Sequence, residues 1–348
     1  MKLWGSRWVA AAVVLVLLAA VIVLLWWRGP EWGLVADVFG AVTWRWIVFA
    51  LVLNLLSVAA RAIAWRSVVV QALPDESVPF GRVFSAFSIG LLANAVLPAR
   101  AGELARVAVL TRRLPRGRGY TATLLGTVFT HRVFDVVPAL LLVVYVLLTA
   151  KIPHWALTAL VLAAGVGVLL VGAALVGSRL RRPVLDGMHP LRRVLAMARL
   201  GLDVLRSPVA AAVAILFQCI GWLFQLLAVY VAMRGFDIHA PMPAAALVLL
   251  LMNVALIFPL WPGNVGLLQA AVALPLRQYG VPYARGFAYG LGLQVIEMSV
   301  GVGVGLLFLA REGLSLATLK RIEERQEQEA LELVEQAEGP REGARVSV

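Results

Sequence analysis

Several ionisable side chains of this chain lie inside long apolar runs of sequence, where a charge needs a physical reason. A charge at the centre of a bilayer costs between about 2.5 and more than 10 kcal/mol, so such a residue faces a cavity or a charged partner. We therefore treat these residues as functional candidates; structural ion pairing or a shallow position near the interface is the alternative. The acidic members are Glu103, Asp135 and Glu297, and the basic members are Arg61, Arg100, Arg106 and Arg132.

The densest group occupies the segment 98–106, with the sequence PARAGELAR. If a short helix begins near Gly102, Glu103 lies in its first turn and Arg106 lies three residues later on the same face. Arg100 then occupies the break before the helix. Helix N-termini and guanidinium groups both bind anionic oxygens, including those of phosphate. The segment therefore predicts a phosphate-bearing lipid head group as ligand, with local pairing of Glu103 and Arg106 as the structural alternative.

Two further groups lie in later apolar runs. Arg132 and Asp135 are three residues apart, so they can pair on one helical face, either as part of a site or as a structural clamp. His131 beside them is more typical of a polar interfacial residue than of a proton carrier. Glu297 follows Gln294 in a glycine-rich run and has no basic neighbour in sequence. It must find a distant partner, titrate or bind a cation, and it is our candidate for proton coupling.

The composition places these charges in a membrane protein. Hydrophobic residues make up 61% of the 348 positions and the mean hydropathy is +0.89, whereas soluble domains are about 45–50% apolar. Only a bilayer can solvate so much apolar side chain. The formal charge of +12 does not indicate nucleic acid, because most basic residues fall in short loops between apolar runs. The single cysteine, Cys219, lies in an apolar run, which excludes a disulfide framework and a cysteine-based metal site.

The apolar runs predict an all-α polytopic membrane protein with six spanning helices and two broken helices. The first run lacks the small-x-small cleavage site of a signal peptide, so we expect it to remain as an anchor. The segments 83–110 and 243–278 are interrupted by proline and glycine, and each predicts two half-helices. Such breaks persist at membrane depth only where protein or a water-filled cavity covers the backbone. The six spans are 8–27, 46–65, 120–150, 154–176, 208–232 and 286–310.

The charges of the loops favour re-entrant broken segments, which enter and leave the membrane on one face. With a cytoplasmic N-terminus, this layout places fifteen basic residues in cytoplasmic loops and six in outer loops, as the positive-inside rule requires. If both broken segments instead cross the membrane, the chain has eight crossings and the basic cluster 112–118 lies outside. The re-entrant layout places both termini in the cytoplasm.

The re-entrant layout also predicts an inverted repeat with halves of about 1–150 and 154–310. Each half has the order span, span, broken segment, span, and the motif Pro-x-x-x-Gly at Pro98 recurs at Pro262. Inverted repeats with paired broken helices are typical of alternating-access transporters, in which the substrate lies between the halves.

The remaining regions are assigned from their charge. The membrane domain covers 1–310, and its basic connector, 178–207, is predicted to bind anionic lipid head groups at the cytoplasmic face. The tail, 311–348, is rich in glutamate and poor in apolar residues, so we expect it to be cytoplasmic and partly disordered.

The stretch 94–113, NAVLPARAGELARVAVLTRR, and the later stretch 258–269, FPLWPGNVGLLQ, resemble the transmembrane region of the lysylphosphatidylglycerol synthase family. The resemblance covers nearly the whole membrane part and implies a lipid flippase or a lipid-handling membrane domain. In the best-known relatives this region moves an aminoacylated phospholipid made by an attached aminoacyltransferase domain. The polar tail here does not supply that domain, so synthase activity is not expected. Similar sequences usually have Glu at the position of Gln269 and often have Arg near Gln294. The resemblance therefore implies that this chain has lost the charges of the second half of the family's site.

Together these observations predict flippase-like translocation of an anionic or phosphate-linked lipid across a bacterial-type cytoplasmic (inner) membrane. The alternative is a non-transporting membrane subunit that presents lipid to a separate transferase or glycosyltransferase. The sequence contains no enzyme motif, so we expect no catalysis, metal or cofactor, and intramembrane catalysis is a distant third hypothesis. The expected partners are a membrane lipid substrate and anionic head groups, together with that separate transferase under the alternative, but no nucleic acid. The candidate substrate-binding residues are Asn94, Arg100, Glu103, Arg106, Arg132, Asp135, Asn253, Gln269 and Gln294, with Glu297 as the candidate for proton coupling.

Overall fold

A computed structural model of the chain describes residue 19 and residues 30–96, 102–115, 120–179, 207–257 and 264–315. The predictions for Arg100, for most of the first span and of the basic connector, and for the tail after residue 315 lie outside these residues. Within the described residues all regular structure is helical, which agrees with the predicted all-α class.

A local sequence signal sets the start of the helix that follows residue 207. At residue 207, Ser207 Oγ accepts a hydrogen bond from the backbone N–H of Ala210 at 3.4 Å, and Pro208 occupies the first turn, as is usual at a helix N-terminus. The described helices are α1 (Trp32–Gly40), α2 (Trp44–Ala72), α3 (Phe80–Val96), α4 (Gly102–Arg112), α5 (Thr121–Thr149), α6 (His154–Arg179), α7 (Pro208–Gly235), α8 (Met242–Ile257), α9 (Leu267–Leu276) and α10 (Tyr283–Arg311). A 3₁₀ turn, Arg277–Tyr279, follows α9.

Four of these helices, α2, α5, α7 and α10, are long and apolar enough to cross a membrane by length and composition. The apolar part of α6, His154–Leu169, is shorter than these four helices. Large apolar side chains such as Leu148, Leu169 and Val209 are more than 70% exposed to the surroundings of the protein, which suits contact with lipid rather than water. The sequence did not predict α1 as a helix.

The first broken segment forms a helical hairpin from α3 and α4. At the break, Asn94 Oδ1 accepts a hydrogen bond from the Gly102 N–H at 2.9 Å. At the opposite end, Arg82 Nη1 lies 3.5 Å from the carbonyl oxygen of Arg113. The two half-helices are therefore antiparallel and lie side by side.

Close packing in this hairpin depends on glycine. A Cβ atom at Gly102 would overlap the carbonyl oxygen of Gly90, and a Cβ atom at Gly90 would lie 2.7 Å from the carbonyl oxygen of Gly102. Since backbone atoms cannot rotate out of the way, neither position accepts a larger residue without separating α3 from α4.

The second broken segment forms α8 and α9, which also pack against each other. Asn264 Nδ2 donates to the carbonyl oxygen of Ala255 across the break at 3.2 Å, and Asn264 and Gly266 both have positive φ angles. The helix lengths in the series α2 to α5 are 29, 17, 11 and 29 residues, and those in the series α7 to α10 are 28, 16, 10 and 29. This match is what the predicted repeat requires.

The helices α2 and α7, which are counterparts in that repeat, form the most extensive helix pair among the described residues. Ser57 Oγ donates to the carbonyl oxygen of Gly221 at 2.7 Å, and a Cβ atom at Gly221 would lie 2.8 Å from Arg61 Cγ. Gly221 therefore lets α7 approach the stem of Arg61. The helices α5 and α10 both pack against this central pair.

Candidate functional site

The four long helices carry their polar side chains near mid-length. At 1.5 Å per residue, the groups on α2, α5, α7 and α10 lie about 15–25 Å from the start of helices about 42–44 Å long. They therefore lie near the middle of helices long enough to cross a bilayer, and the cost of burying a charge is highest at the bilayer centre. We name this set, together with Glu103 of α4, the interior polar network: Arg61, Glu103, Arg132, Asp135, Gln218, Trp222, Gln225 and Glu297.

Arg132 lies between two carboxylates. Its Nε donates to Glu103 Oε1 at 2.6 Å, and its Nη1 donates to Asp135 Oδ2 at 3.2 Å. The predicted pair of Arg132 and Asp135 is thus confirmed. The alternative that Glu103 pairs with Arg106 is wrong, because the packing of α4 on α5 brings Glu103 to Arg132. Two carboxylates neutralise Arg132 and leave the triad with a net negative charge.

Asp135 also joins α5 to α7. Its Oδ1 accepts hydrogen bonds from Trp222 Nε1 at 2.8 Å and from the side-chain amide of Gln218. The sequence reasoning missed these partners and Gln225. A signal was present, because Gln218, Trp222 and Gln225 follow the spacing i, i+4, i+7, which places polar atoms along one face of an otherwise apolar helix.

Arg106 is a buried cation without a carboxylate partner among the described residues. It is only 4% exposed, and its Cζ lies 4.8 Å from the ring centre of Trp65 and 5.5 Å from that of Phe87. The aromatic faces hold the guanidinium by cation–π interaction. Its Nε and Nη2 atoms are buried and have no hydrogen-bond partner in the described part of the chain. Such donors suit an anionic oxygen.

Arg61, near the middle of α2, likewise forms no direct bond to a carboxylate within the described residues. Its Cζ lies 5.5 Å from the Trp222 ring centre, and its Nη2 donates to Gln225 Oε1. Its Nε is buried and unpartnered in the described structure. His131 lies between the two arginines: its Nε2 is 3.3 Å from the Arg61 carbonyl oxygen, and its ring contacts Phe87 edge-on at 6.0 Å.

The second broken segment carries a neutral counterpart of the Glu103–Arg132 pair. Gln269 Nε2 donates to Gln294 Oε1 at 2.7 Å, and Gln269 Oε1 accepts from the Gly266 N–H at 2.6 Å. Gln269 and Gln294, the two positions that the resemblance singled out in the second half, are therefore in contact with each other. In the second half, an amide pair joins α9 to α10. In the first half, an ion pair joins the corresponding helices, α4 and α5.

The structure gathers some of the predicted site residues and separates others. Glu103, Arg132 and Asp135 meet directly, whereas Glu297 is linked through Gln225 to Arg61. Asn94 closes the first break, whereas Asn253 donates to the Leu249 carbonyl oxygen of its own helix and joins none of these groups. No cluster of three or more His, Cys, Asp or Glu that could hold a metal ion occurs in the described residues.

A family model described as the lysylphosphatidylglycerol synthase TM region matches residues 8–317. No curated protein and no solved structure matches the chain.

Proposed function

Because the chain belongs to the lysylphosphatidylglycerol synthase TM region family, we propose that it is a flippase for an anionic or phosphate-linked lipid. The family and the long apolar helices make it a multi-pass membrane protein with a role connected to membrane lipids. We further propose the bacterial-type cytoplasmic membrane as its location, with both termini in the cytoplasm and no catalytic activity.

The observation that carries this proposal is the state of the two arginines. Arg106 and Arg61 each carry buried N–H groups that no described residue accepts. Retaining an unpaired cation in such a place is costly, so its presence favours a ligand that supplies the missing acceptor. A phosphodiester is suitable, because it brings one negative charge and two free oxygens that accept charge-assisted hydrogen bonds from guanidinium groups.

Arg132 has a different part in this mechanism. Two carboxylates already pair with Arg132, whose side chain is 49% exposed. Arg132 therefore holds the hairpin to α5, and it does not bind the head group on its own. We propose that the negative triad of Glu103, Arg132 and Asp135 keeps the head group on the Arg106 side of the network.

The paired hairpins suggest how the lipid moves. We propose that both are re-entrant, that the two halves form an inverted repeat, and that rocking of one half against the other exposes the arginines to each leaflet in turn. The antiparallel α3–α4 hairpin and the matching helix lengths support this layout. The acyl chains stay in the bilayer, in contact with the apolar outer faces of the long helices, while the head group crosses.

A scrambling assay tests the proposal. The protein is reconstituted in phosphatidylcholine vesicles that contain a head-group-accessible fluorescent phosphatidylglycerol, and dithionite bleaches the outer leaflet. The wild type should expose the inner-leaflet lipid to bleaching, and Arg106→Met should not. Arg234→Met is the matched control, since Arg234 also stacks on an aromatic ring, Tyr230 at 5.4 Å, but lies at the end of α7 outside the network.

Three results are informative. Scrambling that survives Arg106→Met would refute the site. Binding of phosphatidylglycerol that depends on Arg106, without scrambling, would favour the alternative of a subunit that presents lipid to a transferase. Absence of both would refute the proposed function for this class of lipid.

A further inference from the structure

Gln225 bridges the unpaired cation of α2 and the carboxylate of α10. Its Oε1 accepts from Arg61 Nη2, and its Nε2 donates to Glu297 Oε1 at 3.3 Å. Arg61 and Glu297 form no direct salt bridge, although both lie near the middle of their helices. One amide therefore connects a guanidinium and a carboxylate that would otherwise have to meet or remain unpaired.

The protonation state of Glu297 decides which way this amide can face. A guanidinium only donates hydrogen bonds and an ionised carboxylate only accepts them. While Glu297 is ionised, Gln225 satisfies both groups in one orientation alone, with its oxygen toward Arg61 and its NH₂ toward Glu297. A protonated Glu297 can donate a hydrogen bond, so the amide oxygen of Gln225 can turn toward Glu297. The NH₂ group of Gln225 then faces Arg61, whose guanidinium has no atom that accepts a hydrogen bond.

Resting on the proposed function, we propose that Glu297 is a proton-binding site that controls the availability of Arg61 to the lipid phosphate. A proton from water binds a carboxylate oxygen of Glu297, Gln225 rotates, and Arg61 loses its protein acceptor. The guanidinium then donates to the phosphate oxygens of the lipid. Release of the lipid restores the bond from Arg61 to Gln225, and the proton leaves Glu297. One proton thus accompanies one anionic head group.

The surroundings of Glu297 support its role as the titrating group. The helices that pack against α10 are α1, α2, α3, α7 and α9. Of these, α9 carries no ionisable residue, and the ionisable residues of α1, α3 and α7 other than Tyr230 and the half-buried thiol of Cys219 lie at or near helix ends or on exposed positions. On α10 itself, Tyr289 lies two turns away and donates its hydroxyl to the Val229 carbonyl oxygen at 2.6 Å. The charged group that faces Glu297 from another described helix is therefore Arg61.

This arrangement has a measurable consequence for binding. If one proton is linked to one head group, the apparent affinity for the anionic lipid rises as the pH falls, by up to about tenfold per pH unit over the range in which Glu297 titrates. By the same linkage, binding of the lipid takes up about one proton from solution.

The experiment measures both quantities on the full-length purified protein. A short-chain phosphatidylglycerol is added in weakly buffered detergent solution, and a pH indicator reports proton uptake while a titration across pH reports affinity. We expect uptake of about one proton in the wild type, and none in Glu297→Gln, whose neutral amide imitates the protonated acid and should bind with pH-independent affinity. Gln225→Met removes the bridge and should abolish the uptake as well. Asp237→Asn, which removes an exposed loop carboxylate paired with Arg285, is the control that should keep it.

The outcomes separate the two proposals. Binding that depends on Arg106 but takes up no proton refutes this inference and leaves the proposed function intact. Proton uptake that persists in Glu297→Gln or in Gln225→Met also refutes it, because the proton would then bind elsewhere. If phosphatidylglycerol shows no binding that depends on Arg106, the proposed function fails for this lipid and the inference fails with it.

Discussion

Replacing Arg106 by methionine should leave the unliganded protein about as stable as the wild type, and should weaken lipid binding. The substitution removes two buried N–H groups that have no partner in the described residues, each worth about 1–3 kcal/mol of desolvation. It also removes cation–π contacts with Trp65 and Phe87, worth about 2 kcal/mol each when desolvated. Methionine fills the volume of the arginine stem, so a gain of about 2–6 kcal/mol from relieved desolvation is set against a loss of about 4 kcal/mol of cation–π contact, and the balance lies within about 2 kcal/mol of zero.

Lipid binding should respond in the opposite direction. A hydrogen bond to a charged group contributes about 1.5–3 kcal/mol, so loss of one such bond to phosphate lowers affinity by about 10- to 150-fold. The assay compares thermal unfolding in one detergent with binding of a short-chain phosphatidylglycerol. Arg132→Met is the contrasting variant: it leaves Glu103 and Asp135 without a cation, so its unfolding temperature should fall. If Arg106→Met unfolds at a temperature as low as Arg132→Met does, Arg106 is a structural residue and the reasoning is refuted.

Two further predictions concern the packing of α10 on α3. Gly305→Ala should lower thermal stability by about 1–3 kcal/mol through overpacking, because its Cβ would lie 2.5–2.8 Å from atoms of α3. Gly303→Ala, two residues earlier in the same helix, meets nothing within 4 Å and should be neutral or stabilise by up to about 1 kcal/mol; equal melting temperatures for both variants would contradict this packing. Glu312 joins the end of α10 to the hairpin by accepting hydrogen bonds from Ser85, at 2.8 Å, and from Arg113. Glu312→Gln should therefore increase hydrogen–deuterium exchange in α4 while leaving α9 unchanged, and identical exchange in α4 would show that this contact does not hold the hairpin.

The class of protein and the positions of its helices follow from local sequence. Apolar runs of about twenty residues predicted the long helices, because the length needed to cross a bilayer is set by its thickness. The breaks within 83–110 and 243–278 predicted two half-helices each, because proline and glycine lie close together there and weaken helical hydrogen bonding. The charged candidates were also visible in the sequence, since an ionisable residue inside an apolar run is unusual in any fold.

Partner choice, by contrast, depends on tertiary packing. Glu103 lies three residues from Arg106 but bonds Arg132, twenty-nine residues away, because α4 packs its first turn against α5. That choice leaves Arg106 unpaired within the described residues, and spacing along the chain could not reveal it. The link from Arg61 through Gln225 to Glu297 joins three helices that are distant in sequence, and it exists because α2, α7 and α10 meet at mid-length. Sequence determined which charges enter the membrane, since transfer cost is a property of each residue. Only the tertiary structure decided which of them are neutralised, since a hydrogen bond needs its partner within about 3 Å.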